Sequence, residues 1–401
     1  MLNNIGEEYV TAVKIQFISK SLPEFHFFAI LTPRFPLFKE YMSSAKEAPS
    51  ARRLSVISSV TADVWHGNQA PDAYEWWYFD AISDDGSEAI AIWFLDNAVS
   101  SPRYNRTLNI GIDSDTASPN ERRFPGVFFA YYKNGKPIVR TFNEFSPVDF
   151  SADQASPACR IGPSGFRFDA APYGSGYSLE IRSSLSRGQM LEAKFEWVSI
   201  EADFLREDGQ DARGLHVWNI VAPRSDVSGR IDLIDRKGKV KAGYHFRGTG
   251  YHDHEYDSRR FADTILERHW GRAHFTDSTV VFQKHIESEG GESSRLVLIK
   301  DGRLIEREVR CEEQNFVRNK FGIKYPTRVS LTSDDGIRLR IKPIKVLDSS
   351  FYNLRFASEM TLTLRDGKPR KSIGLTEIVA PKTLKYRWLD WLADMRILRV
   401  R

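Results

Sequence analysis

The residues best suited to chemistry lie between Gly248 and Asp257, which read Gly-Thr-Gly-Tyr-His-Asp-His-Glu-Tyr-Asp. Seven of the nine histidines fall between His216 and His285, so the titratable chemistry of the chain is concentrated around this stretch. On an extended strand, alternate side chains point to opposite faces. Tyr251 and Asp253 then share one face, and His252 and His254 share the other. A second pair stands upstream in Leu215-His-Val-Trp-Asn-Ile-Val221, where the same parity puts His216 and Trp218 together. A carboxyl, a phenol, an imidazole and an indole in one cavity can donate a proton and shelter a cation.

The pair His252 and His254 also permits a metal site, with His245, His269, His274 and Asp257 as further ligands. Two histidines at that spacing are a weak signal. Asp253 faces away from them on an ideal strand, so no bound metal is expected. Other chemistries lack their motifs. There is no Gly-x-Ser-x-Gly elbow and no phosphate loop ending in Gly-Lys-Ser/Thr. Neither Gly248-Thr-Gly250 nor Gly174-Ser-Gly176 completes a dinucleotide fingerprint.

Strands must position these groups. Asp85-Gly86, Asn134-Gly135, Asp208-Gly209, Asp301-Gly302, Asp335-Gly336 and Asp366-Gly367 are turn dipeptides between apolar or alternating runs. Their flanks predict strands at Tyr74–Ile82, Glu88–Leu95, Val127–Tyr132, Ser178–Ile181 and Leu215–Val221. The pattern resumes at Thr279–His285, Arg295–Ile299, Arg338–Ile341 and Met360–Leu364. Many short strands between turns indicate a sandwich or barrel. Tyr74-Glu-Trp-Trp-Tyr-Phe-Asp80 is the densest aromatic strand, and a core role is the simplest reading for most of it. Its parity groups Trp76, Tyr78 and Asp80 on one face, which would line a cavity for an elongated apolar ligand.

The chain has 401 residues, enough for two domains. With 57 basic and 53 acidic residues the net charge is +4, which gives no case for a nucleic-acid partner. Cys159 and Cys311 are too few for a disulfide framework or a cysteine-based zinc site. No stretch approaches the ~20 apolar residues of a membrane-spanning helix. Residues 1–58 read as a flexible N-terminal extension, with Met42 as a second plausible start. Helical spacing is convincing only at the C-terminus, where Leu384, Trp388, Trp391, Leu392, Met395 and Leu398 form a stripe among basic residues. That helix either docks on a barrel or touches a membrane surface.

Three segments carry a resemblance to a known family. They are Glu75-Trp-Trp-Tyr-Phe-Asp80, His216-Val-Trp218 leading to Ile220-Val-Ala-Pro223, and Gly248-Thr-Gly-Tyr-His-Asp-His254. Together they resemble the carotenoid 1,2-hydratases, or hydroxyneurosporene synthases, whose wider relatives are lipocalin-like proteins that include fungal Diels–Alderases. Arg268-His-Trp-Gly-Arg-Ala273 looks like the start of a second barrel. The landmarks span about residues 60–290. The chain departs from the family after Asp253-His254, where the hydratases usually continue Asn-Trp-Gly and this sequence has Glu255-Tyr256-Asp257.

The resemblance implies an all-β protein of two lipocalin-like barrels with a short C-terminal helix. The expected division is residues 1–58, a first barrel over 59–257 and a second over 258–401. It implies catalytic roles for Asp253, His216, Trp218 and Tyr251, with the aspartate as acid. Trp76, Tyr78 and Trp270 are the candidate substrate-binding aromatics. Hydration of a terminal trisubstituted alkene needs protonation to a tertiary cation and capture by water, with no redox cofactor. An aspartate can serve as donor near neutral pH only if an apolar site raises its pKa. The expected partner is a hydrophobic small molecule, and the expected location is cytoplasmic with peripheral membrane contact through the C-terminal helix. A cyclase or pericyclase acting on a polyene or polyketide, and a lipid or isoprenoid carrier, are the alternatives on the same architecture.

Overall fold

A computed structural model describes residues 54–400, apart from 69, 71, 111–122, 172–173, 207–214 and 366. Among the described residues the turn dipeptides behave as their chemistry dictates. Asn134 and Gly135 have φ of 52° and 71°, and Asp301 and Gly302 have 52° and 74°, the left-handed values that tight hairpin turns require. Asp208-Gly209 and part of Asp366-Gly367 lie outside the described residues.

The strands form two curled sheets, one of thirteen strands and one of ten among the described residues. This is the lipocalin-like double barrel. The first sheet runs from Leu54–Ile57 to Val240–Asp257, and the second from Ile265–Phe275 to Arg370–Val379. Each sheet also takes one two-residue strand from the other's part of the chain. Leu205–Arg206 joins the second sheet, and Leu398–Arg399 joins the first. The proposed N-terminal extension lies outside the described residues as far as 53, but Leu54–Ile57 pairs in parallel with His216–Asn219.

The three motif segments become neighbours. Val240–Asp257 lies between His216–Ile234 and Tyr74–Ser83 in the first sheet. The strand His216–Ile234 continues well past Val221, through Pro223. Proline removes a ladder donor, and the register with Val240–Asp257 shifts between Asn219 and Ala222 and again between Ala222 and Ser225. Gly248 is needed because a Cβ there would strike the Ile82 carbonyl of the neighbouring strand. Gly250 meets Val227 and the Trp197 indole in the same way.

Tyr74–Ser83 is buried on both faces for nine of its ten residues, which is why it is aromatic without apolar–polar alternation. Trp77 and Phe79 enter the core of the first barrel with Phe166, Tyr177 and Trp197. Trp76 and Tyr78 point the other way, into a second core shared with Trp218, Tyr251, Trp270 and Val379. That second core lies between the two sheets. Ala273, Phe282, Leu296, Leu339 and Met360 fill the second barrel.

Two helical expectations change. Pro102–Ile110 is an α-helix that the apolar spacing did not signal, and Pro102 takes its first position, where a missing N–H costs nothing. The C-terminal stripe is not one continuous helix. Short 3-10 turns at Pro381–Lys385 and Arg387–Leu389 precede a single α turn at Asp390–Asp394. This rotates the chain so that Leu389, Ala393 and Ile397 are buried. Trp388, Trp391 and Met395 are exposed, at 69%, 57% and 69%.

Candidate active site

Alternation along Val240–Asp257 sends Tyr251, Asp253 and Glu255 to the face between the sheets. Register sets Tyr251 beside Asp80, Asp253 beside Tyr78, and Glu255 beside both Trp76 and Trp218. Asp253 is fully buried. Its Oδ2 accepts the Tyr251 hydroxyl at 2.7 Å and the Trp218 indole N–H at 2.9 Å. Its Oδ1 has no hydrogen-bond partner among the described residues.

Burial pushes the Asp253 carboxyl well above the usual carboxylate range, and the Glu255 charge adds to the rise. The donors Tyr251 and Trp218 and the Arg268 charge oppose it without reversing it. Glu255 is also desolvated, yet it is held below its ordinary value by Arg268 and by its bond to His216. The two carboxyls are therefore driven apart, one toward the acid and one toward the anion.

His216 shares the face of Trp218, as parity predicts, but its direct partner is Glu255 and not Asp253. Its Nε2 lies 2.9 Å from Glu255 Oε2, and its Nδ1 lies 3.1 Å from the Tyr74 hydroxyl. It reaches Asp253 only through Glu255. Tyr251, Trp218 and Asp253 meet directly, and His216 stands one contact further back.

Asp253 opens on a small chamber of about 20 Å³, walled by Trp76, Tyr78, Trp93, Trp270 and Arg268. The Tyr78 ring is 4.5 Å from Trp93 and 5.3 Å from Trp270, the latter edge-on, and Tyr251 is 5.5 Å from Trp270. Trp76, Trp93, Arg268, Glu377 and Val379 also wall a cleft of about 100 Å³ that runs outward past Phe128 and Tyr352 to Arg396. Its charges are paired. Arg268 bonds Glu255, and Arg355 bonds Glu377 while lying 4.5 Å over the Trp93 ring. What a ligand meets is largely aromatic.

Glu255, Arg268, Trp93, Arg355 and Glu377 were not among the candidates from sequence. Glu255 and Arg268 had a signal, one in the departure from the family pattern and one in the second-barrel segment. Arg355 and Glu377 had none, because they come from neighbouring strands more than 100 residues from Asp253.

His252 and His254 point into the first barrel. His252 Nε2 is 3.0 Å from Asp63 Oδ2, and His254 Nε2 is 2.8 Å from Glu75 Oε1. His245, His269, His274 and Asp257 do not join them. Among the described residues, His66, Glu75 and His254 form one set whose ligand atoms lie within 4.8 Å of one another. His66 Nδ1 and His254 Nε2 are 2.9 and 2.8 Å from the same Glu75 oxygen. Ligand atoms around a tetrahedral zinc stand about 3.3 Å apart, so these contacts are those of hydrogen bonds.

A family model described as carotenoid hydratase CrtC matches residues 196–401, which contain His216, Trp218, Tyr251, Asp253 and Trp270. The chain is 25% identical over 358 residues to a hydroxyneurosporene dehydrogenase of Chlorobaculum tepidum, covering 86% of this chain and 92% of that one. It is 27% identical over 218 residues to an acyclic carotenoid 1,2-hydratase of Thiocapsa roseopersicina, covering 53% and 47%. Two solved structures share the fold. A protein designated AttH from Nitrosomonas europaea aligns over 84% of this chain and 99% of its own, with TM-score 0.53 and 16% identity. CghA bound to Sch210972 aligns over 82% and 97%, with TM-score 0.51 and 12% identity.

Proposed function

Because the chain belongs to the carotenoid hydratase CrtC family, we propose that it is a cofactor-independent hydratase that adds water across a terminal C=C bond of an acyclic carotenoid or related isoprenoid. The observation that carries this reading is the state of Asp253. It is a buried carboxyl raised toward its protonated form, gripped through one oxygen and free at the other, beside an aromatic chamber. Asp253 gives its proton to the alkene, and a tertiary cation forms among the faces of Trp76, Tyr78 and Trp270. Water adds to the cation, and the surplus proton restores the acid. Tyr251 and Trp218 fix the carboxyl, and His216 acts through Glu255 by holding that neighbouring charge in place.

Incubation with lycopene or neurosporene tests the reading. One added water per molecule is expected by mass analysis, and its loss in Asp253→Asn with the fold intact. A product lighter by two hydrogens would replace hydration with the redox chemistry that the name of the Chlorobaculum relative describes.

A substrate of this class resides in a bilayer, and the C-terminal segment supports delivery from one. No described helix is long and apolar enough to cross a membrane. Trp388, Trp391 and Met395 are exposed together, flanked by the exposed Lys382 and Arg387, and the same segment supplies Arg396 to the outer cleft. Indoles and basic side chains suit the headgroup layer of an anionic bilayer. The protein should float with phosphatidylserine-containing vesicles at low salt, and a Trp388→Ser/Trp391→Ser/Met395→Ser variant should not. Equal flotation of the two would remove this patch as the contact. Substitution is the better test than truncation, because cutting at Pro381 also removes the buried Leu384, Leu389 and Ile397.

A further inference from the structure

Three polar atoms of residues walling the chamber lack a hydrogen-bond partner among the described residues: the Tyr78 hydroxyl, and the two that carry the argument, Asp253 Oδ1 and Trp270 Nε1. Both side chains are at least nine-tenths buried and both wall the same chamber. An orphaned buried donor is costly, and proteins rarely leave one unless something else binds it. Trp270 can only donate, so its partner must be an acceptor. Asp253, as an acid, must meet the reacting atoms through its free oxygen, because the other is held by Tyr251 and Trp218. A single oxygen atom beside both groups would satisfy the first and serve the second.

We propose that the Trp270 indole N–H holds the attacking water, making Trp270 a catalytic residue as well as a wall of the site. A buried chamber of this size accommodates a single water when two or more polar partners are present. The proposal rests on the hydratase reading and assigns its nucleophile. Asp253 transfers its proton to the CH carbon of the terminal trisubstituted alkene, so a C–H bond forms there and a tertiary cation on the adjoining dimethyl-bearing carbon faces a carboxylate. The water oxygen then supplies the electron pair of the new C–O bond, and the oxonium proton passes to that carboxylate. A cation that finds no water in place instead returns a proton to the carboxylate and reverts to alkene.

This partition is measurable. In D2O the acid carries deuterium, so a cation that reverts to alkene by losing a hydrogen other than the deuteron just delivered labels the recovered lycopene. The wild type is expected to hydrate with little label in unreacted substrate. Trp270→Phe keeps an aromatic wall and removes the N–H. Its ratio of exchange to hydration is expected to rise about tenfold, with KM little changed. Hydration and exchange falling together would overturn the proposal, since that is the signature of a merely structural wall. A high-resolution crystal structure of the wild type gives an arm that needs neither substrate nor variant. A water within hydrogen-bond distance of Trp270 Nε1 and beside Asp253 Oδ1 is expected there, and an ordered chamber without one would sink the assignment. If the wild type neither hydrates nor labels lycopene, the hydratase reading fails, while the crystallographic water still decides whether Trp270 binds an oxygen.

Discussion

The two faces of one pair of strands, Tyr74–Ser83 and Val240–Asp257, carry similar residues and put them to different uses. The face inside the first barrel holds His252, His254, Glu75 and the rings of Trp77 and Phe79. Asp63 Oδ2 accepts the Tyr177 hydroxyl at 2.6 Å and lies 3.0 Å from His252 Nε2. His254 stands between Asp63 Oδ1 at 3.1 Å and Glu75 at 2.8 Å. Burial alone would lower the His254 pKa, but the two carboxylates raise it to about 9. Burial likewise opposes the Asp63 anion, and the two histidines outweigh it and hold Asp63 at about 2. The face between the sheets has the opposite balance. Asp253 has two neutral donors, an anionic neighbour and a free oxygen, so its proton stays. A buried carboxyl surrounded by matched charge is structural, while one denied a matching charge is prepared to react.

The sharpest way to break this contrast is to neutralise each aspartate in turn. Asp253→Asn should lower turnover by about 10³-fold, the order expected for loss of a general acid, with a melting temperature close to wild type. Asp63→Asn should leave any residual protein chemically competent but cost about 3 kcal/mol of stability, read by urea unfolding, because it removes a buried carboxylate from its two histidines and leaves His254 with Glu75 alone. The pH dependence has a definite sign. The His254 contribution is full below its unfolded value of 6.5 and is lost as pH rises through about 9. The Asp63 contribution is full above 3.8 and is lost as pH falls through about 2. Both limbs should flatten in Asp63→Asn. An Asp63→Asn variant that kept full stability and lost activity would erase the distinction between the faces.

Much of this was legible because strands have a period of two. Parity alone separates Tyr251 and Asp253 from His252 and His254, and Trp76 and Tyr78 from Trp77 and Phe79. The turn dipeptides mark hairpins for the same local reason. Parity within one strand does not fix register between strands, so the sequence put His216 on the Trp218 face without saying which carboxyl it meets, and it stands beside Glu255. Register here changes at the shifts on either side of Ala222, next to Pro223, and their size cannot be read from parity. Arg355 and Glu377 were illegible because the meeting of two sheets leaves no local trace. The C-terminal stripe misled for a similar reason. Its spacing fits a helix, but the segment is broken into short turns, so that Leu389 and Ala393 dock beside Ala262 and Phe351 together with Leu384 of the stripe, while Trp388, Trp391 and Met395 face out.

The smallest expected effect sharpens the comparison most, because it alters the acid without touching it. If Asp253 is active only when protonated, the rate must fall as pH rises through its folded pKa. Glu255 contributes to that pKa by like-charge repulsion. Glu255→Gln removes the repulsion and also releases Arg268 from its partner, and an unpaired guanidinium favours the Asp253 anion. Both changes ease ionisation, so the basic limb of the kcat profile should move to lower pH by about one unit. The His216 ring loses its anionic acceptor in the same variant, so a Glu255→Gln/His216→Gln double variant should show the same displacement as the single one if His216 acts only through Glu255. A limb that stays put in Glu255→Gln would mean that burial alone tunes Asp253. A limb moving to higher pH would mean that the group titrating in the profile is not the aspartate.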